Sequence, residues 1–308
     1  MISISNKTKQ FLVLLIKILI VVGAFYFVYN QLATNDKLDW KKFIVLFQKN
    51  KSISGILFIL FLSFLNRFLE ILKWQNLIAS FKYISIAEAS KQVLAALTAG
   101  IFTPNGVGEY AGKALYFEKN NTKQIVFLNL ICNGIQLILT VFFGTVGLLF
   151  LGYYFWSLMI IIIVLGLIIF SFLSKKIKIK DYSIERFLFK VNEIPKKIHK
   201  KNIALAIARY ITFSHQYYFL FLAFDVNLPY FTIMATITTV YFLASSLPSF
   251  QFLDFAVKGS VALYFFSKLG VNEWIVIFVT TIMWFLNVVI PVIIGSYYVL
   301  KFRIAWKS

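Results

Sequence analysis

Residues 103–117, TPNGVGEYAGKALYF, place a proline, three glycines, a glutamate and a lysine within a largely apolar part of the chain. Proline cannot donate a hydrogen bond into the preceding helical turn, and glycine adopts backbone conformations that a side chain blocks. The stretch therefore predicts a break in a helix at 104–108. Glu109 and Lys113 lie one turn apart on one face of the helix that follows the break.

The rest of the chain has the composition of a membrane protein. Of its 308 residues, 60% are hydrophobic and 14% are charged, and its mean hydropathy is +0.81. The apolar runs that are long enough to cross a hydrocarbon core of about 30 Å lie at 11–29, 124–150, 154–173 and 274–300. Shorter or polar-interrupted runs lie at 53–73, 84–103, 203–224 and 230–248. We expect an all-α polytopic membrane protein with a single integral membrane domain, 1–308.

Basic residues set the expected orientation of the chain in the membrane. The 31 Lys and Arg residues outnumber the 12 Asp and Glu residues, and such an excess collects in the cytoplasmic loops of membrane proteins. The charge therefore gives no reason to expect a nucleic-acid partner. The loop 174–202 holds ten basic and three acidic residues, so we expect it in the cytoplasm. Basic residues near both ends of the chain place the two termini there as well.

Within this basic loop, apolar residues recur at helical spacing, at Ile184, Phe187, Leu188 and Val191. The spacing predicts a short helix. Two interpretations stay open: the helix lies on the membrane surface among anionic headgroups, or the segment is an ordinary solvated loop.

The break at 104–108 has a counterpart in the second half of the chain. An acidic residue with a lysine four positions later comes after a proline twice: Glu109 and Lys113 after Pro104, and Asp254 and Lys258 after Pro248. The tetrapeptide ALYF follows each unit, at 114–117 and 262–265. Order and spacing therefore predict an internal repeat of two halves, 1–150 and 151–308.

The expected number of membrane crossings makes this repeat an inverted one. In the first half, three runs cross the membrane, and 84–103 and 106–118 form a re-entrant helical hairpin that enters from the cytoplasm. An odd number of crossings inverts the second half, where 230–248 and 251–268 form a hairpin that enters from outside. Inverted repeats with broken helices at the midplane are typical of secondary transporters. An arrangement in which some hairpin arms cross fully stays open.

The two hairpin tips are the candidate substrate-binding sites. At the first tip, Asn105 is the expected N-cap of the new helix, and Gly106 and Gly108 leave the backbone accessible. The positive end of that helix, together with Lys113, suits a lipid phosphate or a carboxylate.

Glu109 is costly inside a membrane unless it is protonated or paired. Two interpretations stay open: it pairs with Lys113, or it titrates and carries a proton or holds a cationic headgroup. Asp254 and Lys258 are expected to act in the same way at the second tip, with Asp254 as the second candidate for proton coupling.

Other polar residues in apolar runs extend the set of candidates. Arg67 is a candidate for phosphate contact or for a structural pair with Glu70. His215 is a candidate proton carrier, with packing as the alternative, and Cys132 is expected to be a small buried hydrophobic residue. Metal-ligand spacings, nucleophile motifs and phosphate-binding loops are missing, so we expect no metal, no cofactor and no enzyme.

The motif FTPNGVGEYAGKALYF, 102–117, resembles the P-x-x-x-G-E motif, with a base four residues later, of the lysylphosphatidylglycerol synthase transmembrane family. Members are also called flippase-like integral membrane proteins. NRFLEILKW, 66–74, is similar to that family's arginine followed by a basic-tryptophan pair. Residues 247–273 resemble its second motif, a Leu-Pro followed by a charged loop and an apolar helix. That motif usually reads Gly-Gly-x-Gly-x-x-Glu, whereas Asp254 stands in the region here.

The resemblance implies a protein of the bacterial cytoplasmic membrane that moves a polar-headed lipid between leaflets. The lipid would be an aminoacylated phospholipid or a polyprenyl-phosphate-linked glycan, so the expected partners are membrane lipids with anionic or phosphate headgroups. Full-length synthases also carry a soluble aminoacyl-transferase domain; the chain ends at Ser308 without one, and we expect no synthesis of aminoacyl lipid. Two alternatives stay open: a non-transporting subunit that binds a cytoplasmic lipid-modifying enzyme, and an intramembrane lipid-glycan transferase.

Overall fold

The computed structural model describes residues 52–101, 103, 106–174, 183–247 and 253–302. In these ranges the chain is helical and has no strand, which confirms the all-α prediction. The helices are α1 Ile53–Ile78, α2 Ile86–Gly100, α3 Gly108–Ala114, α4 Thr122–Phe150, α5 Tyr154–Leu173, α6 Ile184–Glu193, α7 Lys196–Ala223, α8 Tyr230–Ser246, α9 Asp254–Lys268, α10 Glu273–Trp284 and α11 Ile290–Lys301. A π-helical segment, Phe285–Val289, joins α10 to α11.

Four of the described helices are long and apolar enough to cross a membrane, so the chain is a multi-pass membrane protein. They lie at Ile53–Ile78, Lys119–Phe150, Tyr154–Leu173 and Glu273–Lys301. Helix α5 buries only Ser157, as expected of a helix that faces lipid on most sides. Helix α7 covers the predicted run 203–224, and its crossing stays a prediction. The predicted first run, 11–29, lies outside the described residues.

The predicted short helix in the basic loop is confirmed as α6. Ser183 caps it by accepting a hydrogen bond from the N–H of Arg186 at 3.1 Å, and the Phe187 ring meets the edge of the Phe127 ring with centroids 5.5 Å apart. The prediction of a loop over the whole of 174–202 is wrong at its end, because α7 already begins at Lys196. Pro195 precedes it, and the fixed φ of proline suits a helix start.

Helices from the first half of the chain pack mainly on helices from the second half. Helix α1 lies along α7, α2 packs on α11, and α4 packs on α8. Glycines make two of these crossings close. A Cβ at Gly295 of α11 would overlap the backbone carbonyl oxygen of Leu94 in α2, and a Cβ at Gly147 of α4 would lie 2.5 Å from the carbonyl oxygen of Ala235 in α8. Small residues hold membrane helices together in this way, because they let two backbones approach.

We expect Gly295→Ala to destabilise the protein, because a methyl group there meets a backbone carbonyl that cannot rotate away. Overpacking of this kind costs about 1–3 kcal/mol in the free energy of unfolding. The measurement is thermal unfolding of the purified protein in detergent. Gly166→Ala on α5 is the matched control, since a Cβ at Gly166 meets nothing within 4 Å. Equal melting temperatures for the two variants would contradict this account of the α2–α11 crossing.

Candidate functional site

A cavity of about 300 Å³ brings charged residues from both halves of the chain together. Six charged side chains line it: Arg67, Glu70, Glu109, Arg209, Asp254 and Lys258. Four of them, Arg67, Glu109, Asp254 and Lys258, are candidates from the sequence. The remaining lining combines amide and hydroxyl side chains with aromatic rings, including Asn66, Gln136, Tyr217, Tyr241, Trp284 and Asn287. The lining also includes apolar side chains such as Leu97, Met283 and Val288, so the cavity combines charged and polar groups with apolar surface.

One carboxylate, that of Glu70, lies between two guanidinium groups. Arg67 on the same helix pairs with Glu70 Oε2, and Arg209 on α7 donates to the same oxygen at 3.2 Å. The Arg209 Nε also donates to Asn66 Oδ1 at 3.1 Å. The structural pair of Arg67 with Glu70 is thus present, and the trio retains one positive charge. It also links α1 to α7 across the cavity wall.

A proline in the last helical span supplies a further partner for Arg67. Because Pro291 has no N–H, the carbonyl of Asn287, four residues earlier, cannot accept the usual α-helical hydrogen bond. Arg67 Nη2 donates to this carbonyl oxygen. The Asn287 side chain accepts from Asn66 Nδ2 at 2.7 Å and donates to Gln216 Oε1 at 3.0 Å. The π-helical segment therefore offers both backbone and side-chain partners to α1 and α7, as such segments often do at functional sites.

In the second predicted unit, the lysine and the aspartate pair with each other. Lys258 Nζ donates to Asp254 Oδ2 at 2.6 Å, and the ammonium lies 5.0 Å from the centroid of the Tyr241 ring. Each side chain is about a quarter exposed, 27% for Lys258 and 26% for Asp254. The pair is therefore locally neutral and reaches the cavity.

The first predicted unit is arranged differently. Glu109 is buried and lines the cavity. Lys113 is also buried, but it lies behind the lining residues, where Nζ donates to Asn129 Oδ1 at 2.6 Å and sits 4.6 Å from the centroid of the Trp74 ring. The structure therefore places Glu109, but not Lys113, at the wall of the cavity.

The helix break at 106–108 has a structural explanation. Gly106 has a φ of +67°, which favours glycine, and a Cβ at Gly108 would lie 2.8 Å from Thr103 Cγ2. Helix α3 begins at Gly108, with Val107 at its N-cap position. Asn105, the predicted N-cap residue, lies outside the described residues, as do Pro104 and Pro248.

At the predicted anion site, the first three N–H groups of helix α3 already have acceptors. The N–H of Gly108 donates to Thr103 Oγ1 at 2.8 Å. The next two, of Glu109 and Tyr110, donate to the carbonyls of Gly106 and Val107 at 2.9 and 3.1 Å. All three are satisfied within the turn, because it is tight enough to bring its own acceptors to the helix start. Gly106 and Gly108 thus shape the turn.

Two other candidates lie elsewhere. His215 Nδ1 lies 2.9 Å from the Ile211 carbonyl oxygen, and Nε2 lies 2.9 Å from the Tyr230 hydroxyl; His215 is not among the residues that line the cavity. Cys132 is buried, as predicted. Within the part of the chain that the structure describes, His, Cys, Asp and Glu form no group of three that could hold a metal ion.

Sequence reasoning did not single out several cavity residues. Asn66, Gln136 and Asn287 are amides inside apolar runs, and Arg209 is a basic residue inside the run 203–224. The rule that selected Arg67 applies to them as well, since polar residues inside membrane spans face protein or a wet cavity. Pro291 in the last run is a second signal that points to Asn287. The aromatic residues carry no such signal, because 19% of the chain is aromatic.

Comparison with known proteins gives one family match. The model of a family described as "Lysylphosphatidylglycerol synthase TM region" matches residues 14–251. No curated protein matches the chain. The matched range includes Arg67, Glu70, Glu109 and Arg209, whereas the Asp254–Lys258 pair lies just beyond it.

We expect Glu70→Gln to lower the free energy of unfolding by about 3–5 kcal/mol, because it leaves two buried guanidinium groups without their shared carboxylate. Denaturation of the purified protein in detergent measures this loss. Glu88→Gln is the control: Glu88 is exposed and caps α2 through Ser85, and glutamine serves in the same motif. A Glu70→Gln protein as stable as the control would show that the trio does not hold α1 to α7.

Proposed function

The chain belongs to the lysylphosphatidylglycerol synthase transmembrane family, since the family model covers most of it, and we propose that it is a transporter that moves a polar-headed lipid between membrane leaflets. Membership links this membrane protein to lipid metabolism. The observation that carries the proposal is the charged cavity. Six ionisable side chains from both halves line one space inside an apolar helical protein, and such residues in membrane proteins mark substrate or ion pathways.

The proposed architecture is a pair of inverted repeats, 1–150 and 151–308, each with three spanning helices and a re-entrant hairpin. The order of helices supports it: α1 to α4 recur as α7, α8, α9 and the α10–α11 span. The packing supports it too, because α2 packs on the last span of the other half and α8 packs on the last span of the first. A two-fold relation between halves produces such reciprocal contacts.

Helix length supports the re-entrant hairpins. Helices α2 and α9 have 15 residues each and α8 has 17. At 1.5 Å per residue they reach about 22 to 26 Å, less than the hydrocarbon thickness of about 30 Å. Helix α3, with seven residues, is shorter still. These lengths support hairpin arms that end within the membrane rather than cross it.

In this mechanism the polar side chains of the cavity take the place of the water that surrounds a lipid headgroup. Arg67 and Arg209, with one carboxylate between them, offer positive charge to a phosphate. Glu109 and the Asp254–Lys258 pair supply the exchangeable charges at the two tips, and Glu109 and Asp254 are the groups proposed to titrate. The acyl or prenyl chain stays in lipid while the headgroup crosses the polar cavity.

The proposal is a transporter rather than an enzyme, in the bacterial cytoplasmic membrane with both termini in the cytoplasm. An intramembrane transferase would need a carboxylate to act as acid or base. Glu70 and Asp254 are held in ion pairs, so basic side chains already occupy an oxygen of each carboxylate. The geometry therefore supports binding and movement of a headgroup better than bond cleavage.

The test is a lipid-translocation assay in liposomes that hold the purified full chain. We expect Glu109→Gln to slow translocation about tenfold or more, since one charged interaction at the cavity is worth about 1.5–3 kcal/mol. Glu118→Gln is the matched control, because Glu118 is exposed and does not line the cavity. Translocation by the Glu109→Gln protein at the wild-type rate would refute the role of Glu109. An inactive wild-type protein would refute transport.

A further inference from the structure

Three side chains that line the cavity carry buried N–H groups without an acceptor. These groups are Arg67 Nε, Gln136 Nε2 and Trp284 Nε1. Trp284 is only 4% exposed, so water does not solvate its indole N–H. A buried donor without a partner costs about 1–3 kcal/mol, and native proteins keep few of them. Three in one cavity wall therefore point to a ligand that accepts hydrogen bonds.

The buried groups of the cavity lining that lack a hydrogen-bond partner are donors, not acceptors. Among the described side chains that line the cavity, every buried nitrogen or oxygen atom without a hydrogen-bond partner is a donor. The carboxylate of Glu70 already serves two guanidinium groups, and that of Asp254 serves Lys258; Glu109 is not free either. An ammonium group, which only donates, would leave these three buried donors without a partner.

The charged side chains near the cavity also favour a ligand that is an anion. Two buried ammonium groups stand behind the cavity wall: Lys73 Nζ donates to Gln136 Oε1 at 3.3 Å, and Lys113 donates to Asn129. Both acceptors are neutral amides on one face of α4. Together with the six lining charges, this region holds five basic and three acidic side chains. Buried charges require counter-charges, and the described residues leave two positive charges in excess.

We infer that the cavity takes a headgroup with a phosphate monoester, an acceptor-rich dianion, and that Trp284, Gln136 and Arg67 donate to its oxygens. This inference rests on the proposed function and narrows it. An aminoacylated phospholipid brings an ammonium group into a site that already has more basic than acidic side chains and three unpartnered buried donors. A polyprenyl phosphate brings up to two negative charges and three acceptor oxygens.

The experiment measures binding separately from transport. The purified full chain in detergent is incubated with equal concentrations of a polyprenyl phosphate and lysylphosphatidylglycerol, and native mass spectrometry quantifies each complex. We expect the polyprenyl phosphate to bind about tenfold or more tightly than the lysyl lipid. A parallel titration with inorganic phosphate separates a lipid site from a site for free phosphate.

Trp284→Phe tests the donor, because it removes the N–H and keeps a ring to pack against Phe255, 5.1 Å away between centroids. We expect it to weaken binding of the polyprenyl phosphate about tenfold, the worth of one hydrogen bond to a charged group. Trp156→Phe on α5 is the matched control, since Trp156 is exposed and is not among the residues that line the cavity. Gln136→Met removes a second donor at similar side-chain length, and serves if Trp284→Phe does not fold.

The outcomes separate this inference from the proposed function. Equal or tighter binding of lysylphosphatidylglycerol, or unchanged binding by both donor variants, overturns the phosphate assignment even if lipids are translocated. Displacement of the lipid by inorganic phosphate at equal concentration assigns the site to free phosphate and overturns the lipid ligand. Selective binding that depends on Trp284, in a protein that translocates no lipid, supports the phosphate site and refutes transport alone.

Discussion

The carboxylate of Glu70 is the group on which the interior depends. Two guanidinium groups, of Arg67 and Arg209, lie in the low-dielectric interior because this one carboxylate is shared between them, and an unpaired charge in such a place is strongly unfavourable. The shared oxygen fixes α1 against α7. The amides of Asn66, Gln216 and Asn287 then take positions that this pairing allows. The cavity persists because no apolar side chain can cover these groups without leaving their donors and acceptors unmet.

Proline and glycine give the backbone the breaks that this interior needs. Pro291 leaves the Asn287 carbonyl open for Arg67, and the local π-helical turn presents the Leu286 carbonyl to Ser63 at 3.0 Å. At the break before α3, Gly106 adopts a positive φ that favours glycine. Gly295 and Gly147 let the short helices α2 and α8 approach the long spans of the opposite half. In each case a residue that weakens a helix locally permits a contact between distant helices.

Local patterns predicted where the helices lie, and less of how their side chains meet. Apolar runs located α4, α5 and the last span to within two residues, and helical spacing located α6. The start of α7 was missed because its first turns are basic and look like a loop. Lys113 shares a helical face with Glu109, yet its long side chain turns to Asn129 and Trp74. Arg209 joins Glu70 only through tertiary packing. These side-chain contacts depend on residues that are distant in the sequence. The periodicity of apolar residues carries no information about them.

The two acid-base units have the same sequence spacing but differ in the net charge that they contribute near the cavity. Asp254 and Lys258 neutralise each other within one turn of α9, so they contribute a dipole rather than a net charge. In the first unit, Lys113 lies behind the wall on a neutral amide, and its charge adds to those of Lys73 and the Arg67–Arg209 pair. The basic side chains in excess therefore lie on α1, α3 and α7, whereas the Asp254–Lys258 pair on α9 is neutral. The anionic headgroup that we propose would be attracted to these helices more than to α9, so the two acid-base units need not act equally.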